Sequence, residues 1–152
     1  KRQISHRLKS GIIIGFEFIK EKNVIGFSNS AFRAELIPEK LSIPQDVAVV
    51  DWFFYTLLLH AGHKAVFSNE MITYYRQYSD NMIGINNETL DNYKKKLALK
   101  AMHYRYLSSS FTEFEELAKK YSKEKNLTDI QVSTLLQNNK ITYPLWWENI
   151  KI

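Results

Sequence analysis

The sequence contains no cysteine, which excludes both a disulfide framework and a metal site built on thiolates. It has no apolar run approaching the roughly 18 residues that a membrane-spanning helix needs. No signal-peptide segment follows Lys1 and Arg2, and no initiator methionine precedes them. These absences are compatible with a reducing cytoplasm, and we expect the chain to be a fragment of a longer polypeptide.

The common nucleotide-binding and hydrolase motifs G-x-x-x-x-G-K-[ST], G-x-G-x-x-G and G-x-S-x-G are absent as well. Among the histidines only His60 and His63 are close in sequence, but Gly62 lies between them and no acidic residue supports them. We therefore predict no metal site within this chain. No recognised nucleic-acid-binding motif accompanies the basic charge, so we expect no nucleic-acid partner.

The composition is that of a folded protein. Of the 152 residues, 45% are hydrophobic and 14% aromatic, which is ample for a core. The length fits one domain, or one domain with a helical appendage. Lys and Arg number 21 against 16 Asp and Glu, giving a formal charge of +5. This charge suits anionic partners such as nucleotides, phosphates or acidic lipid, although an ordinary solvated surface is the favoured explanation.

The most informative stretch is Ile43–Ile85, in which Asp51 separates two apolar runs. Burying a carboxylate is costly unless it is paired or functional. Asp51 is therefore the best candidate for a general base at the edge of a cleft. The alternative is an N-cap for the helix that runs to Gly62, and spacing alone favours the cap. Both roles could coexist, with one carboxylate oxygen capping the helix and the other facing the active site.

Polar segments flank this stretch. Arg76, Gln77, Tyr78 and Asn81 follow a predicted strand and could bind phosphate, although taken alone they are better explained as a polar loop. Upstream, Gly26 lets the backbone approach another group closely. Around it, four residues could line a polar pocket or simply supply turn and cap chemistry, namely Asn23, Ser28, Asn29 and Arg33.

Secondary structure changes character near residue 85. Before it, strands are predicted at Ala65–Phe67 and Met71–Tyr75, strand character at Val24–Ile25, and a short helical turn at Ala31–Leu36. After it, three amphipathic helices are predicted, the first opening at Asn87–Thr89, the second over Phe111–Lys123 and the third over Leu127–Asn139. The tail that follows contains Trp146 and Trp147, and we expect it either to dock on the core or to lie on a membrane surface. The predicted domains are an α/β part over residues 1–85 and a helical region over residues 86–152.

Three segments in order carry a resemblance to a known family: Asn23–Arg33, the acid in Val50–Trp52 with the helix to Gly62, and Tyr74–Gly84. Each is weak alone and together they are fairly specific. They resemble the second half of family 2 inverting glycosyltransferases of GT-A fold, especially bacterial enzymes that build surface polysaccharides. The fold class implied is α/β, the C-terminal part of a GT-A (nucleotide-diphospho-sugar transferase) fold followed by a helical tail.

The resemblance implies a role for each candidate residue. Asp51 matches the catalytic base that deprotonates an acceptor hydroxyl, and Trp52 lies at the acceptor side. Asn29 and Arg33 border the donor sugar and the acceptor. The diphosphate of the donor is bound by a set of four residues, Arg76, Gln77, Tyr78 and Asn81. The implied partners are a nucleotide-sugar donor and a saccharide or lipid-linked acceptor, in the cytoplasm or at the inner face of the membrane with peripheral contact.

Two departures from the family pattern stand out. Many relatives have histidine where Tyr78 stands, and tyrosine is not an equivalent nitrogen ligand. The family's divalent metal, Mg²⁺ or Mn²⁺, is held by an Asp-x-Asp motif in the preceding nucleotide-binding half, and this chain has no Asp-x-Asp. We therefore expect the chain to be the acceptor-side half of a larger enzyme, inactive by itself. A non-catalytic module that binds a protein or an acidic surface is the alternative.

Overall fold

The computed structural model describes residues 8–71, 73–74 and 89–138 of the chain. These residues fall into two compact units. The first contains residues 8–43, 50–71 and 73–74, and the second contains residues 44–49 and 89–138. The domain boundary predicted at residues 85 and 86 lies outside the described residues. The sequence does not predict that residues 44–49 belong to the helical unit.

The first unit is built around one helix and a small sheet. In chain order its elements are strand β1 (Ile13–Ile14), helix α1 (Phe16–Ile19), 3₁₀ turns at Phe27–Asn29 and Ala34–Leu36, helix α2 (Val50–His60) and strand β2 (Ala65–Val66). The strands pair antiparallel, with Ile13 opposite Val66 and Ile14 opposite Ala65. This is the one sheet found among the described residues.

Helix α2 is the core of the first unit. All five residues over 52–56 are buried, followed by Leu58 and Leu59, so the helix is covered on every side rather than along one stripe. Gly62 ends the helix with φ of +93°, a left-handed conformation that glycine adopts without a steric cost. Its amide donates to the carbonyl of Leu59 at 3.1 Å. The predicted helix end is confirmed.

The strand character predicted at Val24–Ile25 is wrong. The amide of Val24 donates to the carbonyl of Lys22 at 3.0 Å, a three-residue turn that takes this amide away from any sheet ladder. The short helical turn predicted nearby exists, but it is a single 3₁₀ turn at Ala34–Leu36.

The strand predicted at Met71–Tyr75 is not found at Met71, Thr73 or Tyr74, the residues of this segment that the structure describes. Met71 and Tyr74 are 85% and 76% exposed, so neither of these two residues offers a buried face that would stabilise a strand. The described part of the chain is consequently mixed, mainly helical with few strands, which is consistent with an α/β or a helical class.

The second unit contains the three predicted helices, which are confirmed as α3 (Leu90–Ser108), α4 (Glu115–Glu124) and α5 (Asp129–Asn138). Thr89 caps α3, since its hydroxyl oxygen accepts from the amide of Asn92 at 3.2 Å. Before α5, Thr128 and Gln131 exchange side-chain and backbone hydrogen bonds as a capping box. No described helix combines the length and the apolar character needed to cross a membrane.

Stacked aromatic rings join helices α3 and α4 of the second unit. Tyr104 of α3 stacks on Tyr121 of α4 with ring centroids 5.1 Å apart and an angle of 14°. Phe114, in the 3₁₀ turn before α4, is buried beside them. Two polar residues that the helical pattern does not assign to the core are also buried, Lys100 and His103, and the Lys100 ammonium lies 5.2 Å from the Tyr121 ring centroid.

The burial of His103 predicts an acid-sensitive stability. Burial lowers its pKa from the ordinary 6.5 to about 3. Between these values the unfolded chain binds a proton that the folded chain does not, so the free energy of unfolding falls as pH falls from 6.5 towards 3, by up to about 1.4 kcal/mol per pH unit. Urea unfolding followed by circular dichroism at pH 7, 6 and 5 measures this slope.

The variant His103→Phe removes the titrating group while keeping an aromatic ring. Its unfolding free energy should depend less on pH than that of the unmodified chain over the same range, because the other groups titrate in both proteins. Equal slopes in the two proteins would show that His103 is not the source of the acid sensitivity.

Candidate functional site

Asp51 lies in the first turn of α2, one residue after the helix begins at Val50. The N-cap position predicted for it is therefore wrong by this boundary. Its Oδ1 accepts from the amide of the adjacent Trp52 at 2.7 Å, not from an amide two or three residues further along the helix. The carboxylate is half-buried, and burial raises its pKa above the ordinary 3.8. Hydrogen bonds from Trp52, the Asn23 side chain and the Phe27 backbone only partly offset that effect.

The turn at residues 26–30 meets the carboxylate. The amide of Gly26 donates to the Oδ1 atom of Asn29 at 2.8 Å, and the amide of Asn29 donates back to the carbonyl of Gly26 at 3.2 Å. Phe27, inside this turn, donates its amide to Asp51. Segments more than 20 residues apart in the sequence thus form one site.

Gly26 allows this close approach, as the sequence predicts. A Cβ atom at this position would lie 3.3 Å from Oδ2 of Asp51 and 3.2 Å from Oδ1 of Asn29, closer than ordinary van der Waals contact. The backbone at Gly26 has φ of −105°, which any residue adopts. Space beside the carboxylate, not backbone conformation, is therefore what glycine provides here.

A second connection joins the turn to α2. The hydroxyl of Ser30 donates to the carbonyl of Gly26 at 2.6 Å and lies 2.6 Å from the hydroxyl of Tyr55. Tyr55 is buried, one helical turn after Asp51 on α2. Sequence reasoning missed this tyrosine, although its spacing of four residues from the acid could have indicated a shared helix face.

Trp52 is fully buried, and its indole nitrogen donates to the carbonyl of Ile19 at 2.9 Å. With no exposed surface, its side chain anchors α2 to the end of α1. The acceptor-side position that the resemblance implies for Trp52 stays a prediction.

Two exposed aromatic rings pack against the same helix as Asp51. Phe27 and Phe32 are 47% and 42% exposed, and both pack against Phe54 and Tyr55 of α2. Their ring centroids lie 5.3 and 5.2 Å from that of Phe54. The sequence analysis did not select these two phenylalanines. The signal available was their position on either side of the polar residues 28–30.

The remaining predicted site residues are Asn29, Arg33 and the four residues assigned to the diphosphate. Asn29 is exposed, and its amide oxygen closes its own turn. Arg33 is exposed, its backbone carbonyl accepts from the amide of Leu36 at 3.1 Å, and among the described residues its side chain is in no hydrogen bond or ion pair. The four residues assigned to the diphosphate lie outside the described residues, namely Arg76, Gln77, Tyr78 and Asn81.

The described residues do not supply the metal site that the resemblance implies for a complete enzyme. Over residues 8–71, 73–74 and 89–138, no three His, Asp or Glu side chains are grouped so that they could hold an ion. What the site contains is a half-buried carboxylate of raised pKa that accepts amide donors, with exposed aromatic rings packed on the same helix. Such a carboxylate can accept a proton from a hydroxyl group placed beside it.

In comparisons with protein-family models, with curated proteins and with solved structures, nothing matches this chain.

The close approach at Gly26 predicts an asymmetry between two glycines. Gly26→Ala places a methyl group against Asp51 and should lower the free energy of unfolding by about 1 kcal/mol, the lower end of overpacking costs, because the turn must shift. Gly15→Ala is the matched control, since a Cβ there has nothing within 4 Å. Thermal unfolding of the two variants tests this. Equal effects would show that the turn accommodates the methyl group freely.

The raised pKa of Asp51 predicts that its charge destabilises the fold. The pKa of Asp51 in the folded chain lies above the value of 3.8 for the unfolded chain. The stability that the protonated carboxyl contributes is therefore fully present below pH 3.8 and is lost as pH rises through the folded-state pKa. Asp51→Asn should therefore raise the melting temperature at pH 7, with a gain that shrinks towards pH 3.5. Glu35→Gln, which removes a charge at an exposed position of the same unit, should change stability by less than about 0.5 kcal/mol. A lower melting temperature for Asp51→Asn at pH 7 would contradict this interpretation.

Proposed function

We propose that this chain is the acceptor-side part of a nucleotide-sugar-dependent glycosyltransferase of GT-A fold, with Asp51 as its general base. The observation that carries the proposal is the carboxylate of Asp51, held half-buried with a raised pKa against the turn at Gly26 and Phe27. The resemblance requires the Asn23–Arg33 segment and this acid to border one site. Their contact in the structure supports that requirement.

In the proposed reaction Asp51 accepts the proton of an acceptor hydroxyl. The oxygen of that hydroxyl attacks the anomeric carbon of the donor sugar at the same time. The new bond joins that carbon to the acceptor oxygen, and the bond to the diphosphate breaks with inversion. The nucleoside diphosphate leaves with the bonding electron pair. A raised pKa suits this role, since a base works best when its pKa approaches the working pH.

Acceptor recognition is assigned to the exposed rings of Phe27 and Phe32 in place of the buried Trp52. Their exposed faces offer apolar surface to the carbon-bound hydrogens of a sugar ring, and Phe27 itself contacts Asp51 through its amide. A saccharide or the sugar of a lipid-linked acceptor would then present a hydroxyl to the carboxylate. The proposed setting is the synthesis of bacterial surface polysaccharide, at the cytoplasmic side of the membrane.

The test is Asp51→Asn in the complete enzyme. Loss of the general base should lower the rate of sugar transfer by about 10² to 10⁴-fold while donor affinity stays near the unmodified value. Release of nucleoside diphosphate from a panel of UDP-, GDP- and dTDP-sugars with saccharide acceptors measures the rate. Glu35→Gln is the control and should transfer at the normal rate. Transfer by a folded Asp51→Asn enzyme at the normal rate would remove Asp51 from the mechanism.

A further inference from the structure

Helix α2 presents two polar side chains to the turn at residues 26–30. Asp51 and Tyr55 are four residues apart and so lie on the same face of the helix, one turn from each other. Asp51 accepts the amide of Phe27 near the start of the turn, and Tyr55 meets the hydroxyl of Ser30 at its end. The turn is therefore attached to the helix at two points.

The direction of the hydrogen bonds follows from the proton count. Ser30 has one hydroxyl proton, and it is donated to the carbonyl of Gly26 at 2.6 Å. In the 2.6 Å contact between the two hydroxyl groups, Tyr55 is therefore the donor. Burial and the charge of Asp51 raise the pKa of Tyr55 above 10.0, which keeps that donor protonated. The chain of donors runs from Tyr55 through Ser30 to Gly26.

This series of hydrogen bonds ends at Gly26, whose backbone lies against the Asp51 carboxylate. The carbonyl of Gly26 accepts both the hydroxyl of Ser30 and the amide of Asn29, while its Cα faces Oδ2 of Asp51. Moving the turn away from α2 would break the bond between Tyr55 and Ser30, withdraw the Phe27 amide and admit water to the carboxylate. The hydroxyl of Tyr55 opposes each of these changes.

We propose that Tyr55 is a positioning residue for Asp51, holding the turn at residues 26–30 against the carboxylate through Ser30. The inference rests on the proposed function in so far as Asp51 is the base, and it adds a residue that the resemblance does not assign. The ring of Tyr55 also packs on Phe27 and Phe32 at 5.6 and 6.1 Å between centroids. Those contacts need the ring only, so the hydroxyl can be tested apart from the packing.

The experiment is a double-mutant cycle of Tyr55→Phe and Ser30→Ala in the full chain, with the Asp51 carboxyl titrated by ¹³C NMR. Burial is the largest cause of its raised pKa, so a loosened turn should lower that pKa towards 3.8 in each single variant. The pKa of Asp51 in the double variant should fall no further than in Ser30→Ala alone, because that change already removes the hydroxyl to which Tyr55 donates. Tyr121→Phe removes the hydroxyl of a buried tyrosine in the other unit and should leave the titration unchanged.

Three results would overturn the proposal: an Asp51 titration unchanged in Tyr55→Phe, additive shifts in the double variant, or the same shift in Tyr121→Phe. Should Tyr55→Phe fail to fold, Ser30→Ala alone decides, since it breaks the same connection and leaves every aromatic contact in place. A shift in Ser30→Ala supports the proposal, and an unchanged titration overturns it.

Kinetics separate this proposal from the proposed function. In the complete enzyme, Tyr55→Phe should lower kcat by about tenfold, leave KM for the donor unchanged, and move the acid limb of the pH–rate profile to lower pH. If Asp51→Asn transfers sugar normally, the proposed function fails, yet the NMR titration still decides whether Tyr55 positions the carboxylate. If the titration is unchanged while Asp51→Asn is inactive, only the positioning role fails.

Discussion

The hydrogen bond from the Trp52 indole to the carbonyl of Ile19 is the contact on which the first unit depends. At 2.9 Å and fully buried, it fixes α2 relative to the end of α1. Breaking such a bond leaves a buried polar group unsatisfied, at a cost of about 1 to 3 kcal/mol. Because Asp51 precedes Trp52 and Tyr55 follows it on the same helix, this anchor also determines where the carboxylate and the tyrosine hydroxyl lie. Trp52 therefore influences the position of Asp51 through its packing in the core.

Local signals made much of the fold predictable. The three helices of the second unit follow from their apolar spacing, and Thr89, Thr128 and Gly62 mark helix ends by mechanisms that need only neighbouring residues. The strands were less predictable, because an apolar run such as Val24–Ile25 forms a strand only where a partner strand accepts its amides. Tertiary contacts determine whether such a run forms a strand, and the spacing of residues in the sequence carries no information about those contacts.

Asp51 and the close approach at Gly26 were predictable from the sequence, but the geometry of the candidate site and its aromatic members were not. A glycine upstream of the acid signalled a close approach, and the structure identifies the Asp51 carboxylate as the group approached at Gly26. The burial of Trp52 could not be predicted from the sequence. In a helix with five consecutive buried residues, no exposed stripe in the sequence pattern distinguishes a buried aromatic residue from an exposed one. The exposed rings of Phe27 and Phe32 were missed for a different reason, since they lie in a short turn and a loop where no periodic spacing indicates exposure.

The energetics of Asp51 bear on why an acid stands there. A carboxylate that serves the fold, in an ion pair or accepting several amides, has its pKa lowered, because folding then favours the charged form. Asp51 accepts donors from Trp52, Asn23 and Phe27, yet burial outweighs them and its pKa rises. Folding therefore disfavours the ionised form of this residue. A group that costs stability when ionised is what the proposed role of Asp51 as a general base would lead us to expect at this position.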